Sequence, residues 1–310
     1  MDLIKLLPDL WNMICPEDMT FVMRMTCKGV KDAMLEIRPR AQVNINTPEK
    51  LRCFLKEFPH INTYCRIIEL NCKALKKITK DLAQFQTQFQ DLKILTLSDN
   101  YLFGPDGAES LTGMLPNLKT LVRLNLERNN IGPVGATSLA GALVQSPSPA
   151  LTSLNLSENR IKDEGLESIA VALRQCPQLK DLNLSDNRIT NTGLLVHCTS
   201  LTVLNLSKNK IITLKIDKCS LLTRLDLSWN FIKMKRGLVK VLLKCPSLTH
   251  LDLSWNWIKY DGIISLVGIL LHYSVNINID LRENQVDNTE QDMLREIKKQ
   301  CPTLSLLLLY

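Results

Sequence analysis

The chain has 310 residues, 45% of them hydrophobic, and its 38 basic and 31 acidic side chains give a formal net charge of +7. Length alone suggests about two globular domains. The apolar content is ordinary, and no apolar run approaches the roughly 18 residues that cross a membrane as a helix.

The first residues, MDLIKLLPDLWNMI, carry Asp2 and Pro8 and lack a basic n-region and a small-residue cleavage site, so no secretory signal is expected. Pro8 starts a predicted helix whose apolar side holds Leu10, Met13 and Ile14. Pro16-Glu17-Asp18 interrupts it and opens a second helix through Met34, with Phe21, Val22, Met25 and Val30 as its stripe. The Leu7-Pro8 start, Ile14, the Pro16-Glu17-Asp18 turn and Cys27-Lys28 make residues 7–34 resemble an F-box. The resemblance lacks several residues between Ile14 and Pro16, which would shorten the helix that grips a ubiquitin-ligase adaptor. It implies adaptor-binding roles for Leu7, Pro8, Leu10, Trp11, Ile14, Phe21 and Met25. The alternative use of the same residues is a helical cap that closes the apolar edge of the C-terminal segment. Either way residues 1–40 read as an F-box-like helical cap, distinct from 41–310.

Val43 and Ile45 predict a first strand. Thr47-Pro48-Glu49 predicts a helix start, with Thr as N-cap, Pro in the first turn and an acid near the positive helix end. Cys65, Ile68 and Leu70 begin a degenerate repeat in which Lys73 stands where later copies have Asn. A helix is expected from about Leu75 to Phe89.

From residue 92 the chain repeats. Leu179–Ile189, LKDLNLSDNRI, shows the unit: L-x-x-L-x-L-x-x-N-x-I. Alternation at Leu182 and Leu184 puts both on one face of a short strand. The Asn amide then serves backbone groups that a bend would leave unpaired. Asn recurs at 100, 129, 159, 187, 209, 230, 256 and 284, at spacings of 29, 30, 28, 22, 21, 26 and 28. One copy cannot bury its leucines, but stacked copies can. The chain is thereby identified as a leucine-rich repeat protein. That implies a right-handed α/β solenoid, a curved horseshoe with a parallel sheet on the concave face and helices and turns on the convex one.

The second halves FGPDGAESLTGML, IGPVGATSLAGAL and IKDEGLESIAVAL predict amphipathic helices through Ala108, Leu111 and Leu115, then Ala136, Leu139 and Leu143, then Leu166, Ile169 and Leu173. With a period near 28, these resemble the ribonuclease-inhibitor type of repeat, a subtype shared with Ran GTPase-activating proteins and the sensor domains of NOD-like receptors. The two copies between Asn187 and Asn230 have little room for a helix, so extended chain and a change of curvature are expected near 188–222. At the end, Leu304, Leu307 and Leu309 begin one more strand. A bare apolar edge there would invite self-association, unless the helix Thr289–Gln300 and Tyr310 cover it.

Cys176, Cys198, Cys219, Cys245 and Cys301 each precede the first Leu of a repeat by three residues, so they stack as a column of small apolar fillers. Of the ten cysteines, these five argue for reduced structural thiols and a cytoplasmic or nuclear protein.

Function is expected on the strand face. Asn125, Asn155, Asn183, Asn205, Asp226, Asp252 and Asp280 form one polar column, and Ser98, Ser157, Ser185, Ser207, Ser228 and Ser254 form another. Hydrogen bonds between neighbouring strands would occupy them. Trp229 and Trp255 precede their Asn, whereas Phe231 and Trp257 follow it, so these four rings and nearby Tyr260 are expected to form one patch on adjacent strands about 4.8 Å apart. Exposed aromatic clusters mark contact sites. From Lys208 to Lys244 ten basic residues face only Asp217 and Asp226. Lys233, Lys235, Lys240 and Lys244 are expected on the convex side, away from the rings. His250 and Asp252 should join Arg224 and Asp226 in a salt-bridge cluster. The four histidines are otherwise scattered, and no phosphate loop, CxxC pair or His-Glu metal motif occurs, so no catalysis, cofactor or metal is expected.

The expected function is a protein-binding module whose partner sits on the concave face. The F-box resemblance extends this to a substrate receptor of a cullin-RING ubiquitin ligase. The alternatives are a non-catalytic scaffold and a Ran-GAP-like GTPase regulator using Arg123, Arg128 or Arg160. Nucleic acid is the minor alternative partner, and no membrane is implied.

Overall fold

The structure is a computed structural model that describes residues 40–45, 66–72, 91–100, 107, 111–145, 150–193, 195, 198–216, 219–233, 244–272, 277–300 and 305–307. The adaptor or cap residues, the helices expected at 47–58 and 75–89, and Cys301 lie outside these.

Among the described residues, eleven strands form one parallel sheet in strict chain order. They are β1 (Arg40–Ile45), β2 (Arg66–Cys72), β3 (Ile94–Thr96), β4 (Arg123–Asn125), β5 (Ser153–Asn155), β6 (Asp181–Asn183), β7 (Val203–Asn205), β8 (Arg224–Asp226), β9 (His250–Asp252), β10 (Asn278–Asp280) and β11 (Ser305–Leu307). The β1–β2 pairing shifts register between Ala41 and Gln42, but from β4 to β9 the register is uniform: Leu124, Leu154, Leu182, Leu204, Leu225 and Leu251 pair with one another in turn. Their side chains point into one continuous core of leucine and isoleucine. A residue on either side of each faces the opposite, open surface.

Behind the sheet lie α1 (Gly132–Gln145), α2 (Lys162–Leu173), α3 (Tyr260–His272) and α4 (Asn288–Gln300). Ala136, Leu139 and Leu143 bury the inner stripe of α1; Leu166, Ile169 and Leu173 bury that of α2. The two helices approach closely because α2 carries Gly165. A Cβ there would lie 2.6 Å from Ile161 Cγ2 and 2.9 Å from Ala136 Cβ. Between Asn187 and Asn230 no α-helix occurs among the described residues. The chain is extended instead, with Asn191 bridging in parallel to Thr213. The first of these short repeats is tied to α2: Asp163, in the first turn, accepts hydrogen bonds from the Thr190 hydroxyl and the Thr190 and Asn191 amides.

The Asn column holds the turns. Asn159 is fully buried. Its oxygen accepts from the amides of Asn129 and Ile131, and its NH2 donates to the carbonyls of Leu126, Leu156 and Ser157. Asn187 and Asn209 likewise each accept from two amides of the preceding repeat. One amide side chain thus satisfies backbone in two successive repeats, where water cannot reach.

Cys176, Cys198, Cys219 and Cys245 are free and buried, one per repeat. Burial raises all four thiols: Cys176 and Cys198 to about 11, Cys219 to about 12. They fill the core as neutral groups.

Candidate functional site

The site is built on the residue just before each Asn. In eight repeats this residue has a positive φ: Asp99, Arg128, Glu158, Asp186, Lys208, Trp229, Trp255 and Glu283. The left-handed conformation turns the chain out of the sheet plane and into the next strand-to-back connection. Its amide still bonds across the stack, Lys208 to the Ser228 carbonyl, Trp229 to Ser254 and Trp255 to Arg282. Side chains of this column therefore stand over one another at the strand exits. Three of the charged ones pair. The Arg128 guanidinium lies 3.5 Å from Asp99 and 2.8 Å from Glu158. Where they are aromatic they stack. Trp229 and Trp255 lie face to face, with centroids 4.1 Å apart and planes 8° from parallel.

Two residues on, Phe231 and Trp257 form a second pair, edge to face at 5.2 Å and 66°. All four rings are 39–49% exposed. The four-ring patch expected from the sequence is thus two ring pairs, one in each of the two columns that flank the Asn, and together they make a ledge at the strand exits. Lys233 corrects a second expectation. Its ammonium lies 5.3 Å from the centre of the Trp257 ring, not on the far side of the solenoid. The position three after Asn thus still borders the ledge. Tyr260 belongs elsewhere. It is half-buried against the core at the start of α3, and its hydroxyl meets the Met293 sulfur of α4 at 3.5 Å.

The open face beside the ledge departs from expectation as well. The polar columns bond chiefly within each repeat, and among the described residues one bond of theirs, from the Asn155 NH2 to the Glu127 carboxylate at 3.4 Å, crosses to the neighbouring repeat. Asn155, Asn205, Asp226 and Asp252 each turn one oxygen to the amide and hydroxyl of the Ser two residues on in the same repeat. Each closes a local turn at the strand end, because the outward bend brings that amide within reach. Nor does the salt-bridge cluster form. His250 Nδ1 is hydrogen-bonded to the Thr249 hydroxyl at 2.9 Å. The ion pair in this area is Arg282 with Asp280, at 2.5 Å. Arg224, His250, Asp226, Asp252 and Asp280 do line one shallow depression of about 280 Å³. Asp226, Asp252 and Asp280 are direct partners on β8, β9 and β10. Burial pushes the Asp226 carboxyl above its usual range, Asp252 adds to this, and the Ser228 bonds and Arg224 oppose it.

Among the described residues no group of three or more His, Cys, Asp or Glu is placed to hold a metal ion. No described helix is long and apolar enough to cross a membrane. Of the arginines considered for a GTPase contact, Arg128 is held by its two carboxylates, while Arg123 and Arg160 are exposed in different columns, on the open face and just after Asn159.

Residues 177–218 match the family described as Leucine Rich repeats (2 copies), and residues 117–140, 148–170 and 244–267 each match a Leucine Rich repeat. With one parallel strand and one buried Asn per copy, the sheet and the matches agree. The fold is a leucine-rich repeat solenoid. Among solved structures, an internalin (inlF) of Listeria monocytogenes is similar at 16% identity, covering 86% of this chain and 77% of its own, with a TM-score of 0.46. An internalin C2 (inlC2) of the same organism is similar at 20% identity over 65% and 83%, with a TM-score of 0.44. At these values neither bears on function. Leucine-rich repeat domains in general mediate protein–protein interaction, and a solenoid offers a partner its open face and strand exits.

Proposed function

We propose that this solenoid is a protein-binding module that holds its partner on the aromatic ledge of Trp229, Trp255, Phe231 and Trp257, with Arg224 and His250 at the floor of the open face beside it. The observation that carries this reading is the stacked Trp pair. Asp and Asn suit a left-handed residue best, and the chain uses Asp at Asp99 and Asp186. At Trp229 and Trp255 it places bulky rings on the same strained backbone and leaves them nearly half exposed. The fold needs no ring there, since charged residues occupy the column elsewhere. Strain of this kind persists where a side chain is wanted for its surface.

In its fuller form the module is a substrate receptor of a cullin-RING ubiquitin ligase, residues 7–34 gripping the adaptor. The support is the sequence resemblance of that segment. The helix-backed repeats with α1 and α2 favour a ribonuclease-inhibitor-like subtype, and the free buried thiols favour the cytoplasm or nucleus. Self-association through the edge at β11 is a separate proposal, checked by sedimentation over a range of concentrations. The GTPase-regulator reading draws no support from Arg128, whose guanidinium is already engaged.

The test is a quantitative pull-down with three folded proteins: wild type, Leu7→Ala/Pro8→Ala and Trp229→Asn/Trp255→Asn. A partner kept by the first two and lost by the third locates binding on the ledge. An adaptor lost only with the second variant establishes the ligase link. A set of partners unchanged by the Trp substitutions would overturn the ledge proposal.

A further inference from the structure

The ledge has a charge of its own. Lys208 and Lys210 precede the two ring pairs in their respective columns. Lys233 lies over Trp257, and Lys259 comes two residues after that ring. All four lysines are exposed. Among the described residues none lies within ion-pair distance of a carboxylate, although Arg128 in the same column has two. The acids nearest in sequence order along the column are Asp186 on one side and Glu283 on the other.

The neighbouring floor has the opposite sign, but its acids are already engaged. Asp226 and Asp252 hold the Ser228 and Ser254 amides and hydroxyls, and Asp280 is paired with Arg282. A hydrogen bond from Ser does not cancel a carboxylate's charge, so a partner meets lysines at the ledge and carboxylates at the floor beside it. Unpaired like charges around an apolar surface steer and orient a complementary partner, and exclude one of the same sign.

We infer that the ledge takes an acidic segment of a partner protein, with a large apolar side chain on the Trp229–Trp255 and Phe231–Trp257 pairs and flanking carboxylates on Lys208, Lys210, Lys233 and Lys259. This rests on the ledge reading above and names its ligand chemistry. A nucleic acid would share the basic and aromatic contacts, but two features disfavour it. The Trp rings fill their own gap at 4.1 Å, leaving no slot for a base between them. The open face beside the ledge carries the three carboxylates of Asp226, Asp252 and Asp280, which would repel a phosphate backbone charged at every residue. A peptide can place its acids at the rim alone.

The experiment is selection of a displayed random-peptide library on the full chain, with counter-selection on Trp229→Asn/Trp255→Asn. Asn tolerates the left-handed backbone, so that variant keeps the turn. Selected peptides are then measured against Lys208→Glu/Lys210→Glu/Lys233→Glu/Lys259→Glu, whose changes are all on exposed side chains. A labelled single-stranded oligothymidylate is measured in parallel. The expected result is ledge-dependent peptides carrying Asp or Glu around one large apolar residue. Their affinity should fall by about tenfold or more in the charge-reversed variant, and also as salt is raised. Ledge-dependent peptides that are neutral or basic would overturn the inference and leave the ledge as a binding site. Ledge-dependent binding of the oligonucleotide in place of peptides would overturn it in favour of nucleic acid. If no ledge-dependent peptide emerges, both this inference and the ledge proposal fall.

Discussion

The turns after Asn129, Asn159 and Asn187 and those after Asn209, Asn230 and Asn256 look alike in sequence but are built differently. In the first group the residue after Asn is left-handed as well: Asn130, Arg160 and Arg188 have φ of 53°, 57° and 61°. In the second group it is not. There Lys210, Phe231 and Trp257 donate their amides back to the carbonyls of Ile189, Ile211 and Ile232. The Asn bonding shifts slightly further along. Asn159, Asn187 and Asn209 each take two amides of the preceding repeat, whereas Asn230, Asn256 and Asn284 take the one from the Ile two residues past the preceding Asn. The C-terminal turn thus hangs on fewer side-chain bonds and spares the residue after Asn the left-handed conformation. That is the backbone on which Phe231 and Trp257 sit. The difference teaches that the scaffold constrains the Asn and its flanking leucines, while the two positions beside the Asn are free to carry a surface.

The comparison can be broken most directly at the Asn column. Asn159→Ala leaves two buried amides without an acceptor and should cost about 3 kcal/mol or more, each unsatisfied group costing roughly 1–3. Asn256→Ala strands one such amide and should cost less. Equal losses in chemical denaturation of the two variants would show that the two kinds of turn do not differ in energy. Next comes Gly165→Ala, which presses a methyl group against Ile161 and Ala136 between α1 and α2 and should cost about 1–3 kcal/mol by overpacking. The same denaturation measurement reads it.

Smaller effects sharpen the contrast. Trp229→Asn/Trp255→Asn removes a stacked pair worth about 0.5–1.5 kcal/mol but relieves two strained backbones, so stability should change by no more than about 1 kcal/mol while partner binding is lost. A large drop in melting temperature would make the rings structural. Arg128→Ala removes the exposed charge pairs of the same column and should cost about 1 kcal/mol or less. Asp226→Asn keeps the acceptor for Ser228, as Asn205 does one repeat earlier. The folded state raises the Asp226 pKa, so wild type binds that proton more tightly when folded and loses stability as pH rises above the ordinary carboxylate range. The Asn variant should melt higher than wild type at pH 7, and the gap should close as pH falls below that range. A constant gap would assign the effect to packing.

Much of the fold is legible because it comes from spacing. Leu182 and Leu184 define a strand by alternation, Asn187 defines its exit, and stacking is forced by the inability of one copy to bury its leucines. The site is legible only in part. That Trp229 and Trp255 stand in one column is a matter of register, but their face-to-face contact depends on a left-handed backbone that no residue type there announces. Repeat counting misplaces Lys233 when it assigns everything past Asn230 to the back of the solenoid. The position of its ammonium over Trp257 depends on the particular turn taken after Phe231. The strand-face polar groups mislead for a related reason. An Asn at a strand end can reach its neighbour's side chain or its own backbone two residues on, and only the outward bend decides for the latter.

The column of thiols behind the sheet gives the molecule an internal gauge. A cysteine held neutral, with its pKa near 11 or 12, reacts with an alkylating reagent only when its repeat opens to water. With Cys176, Cys198, Cys219 and Cys245 spaced one per repeat, their separate labelling rates would map how opening spreads along the stack, copy by copy.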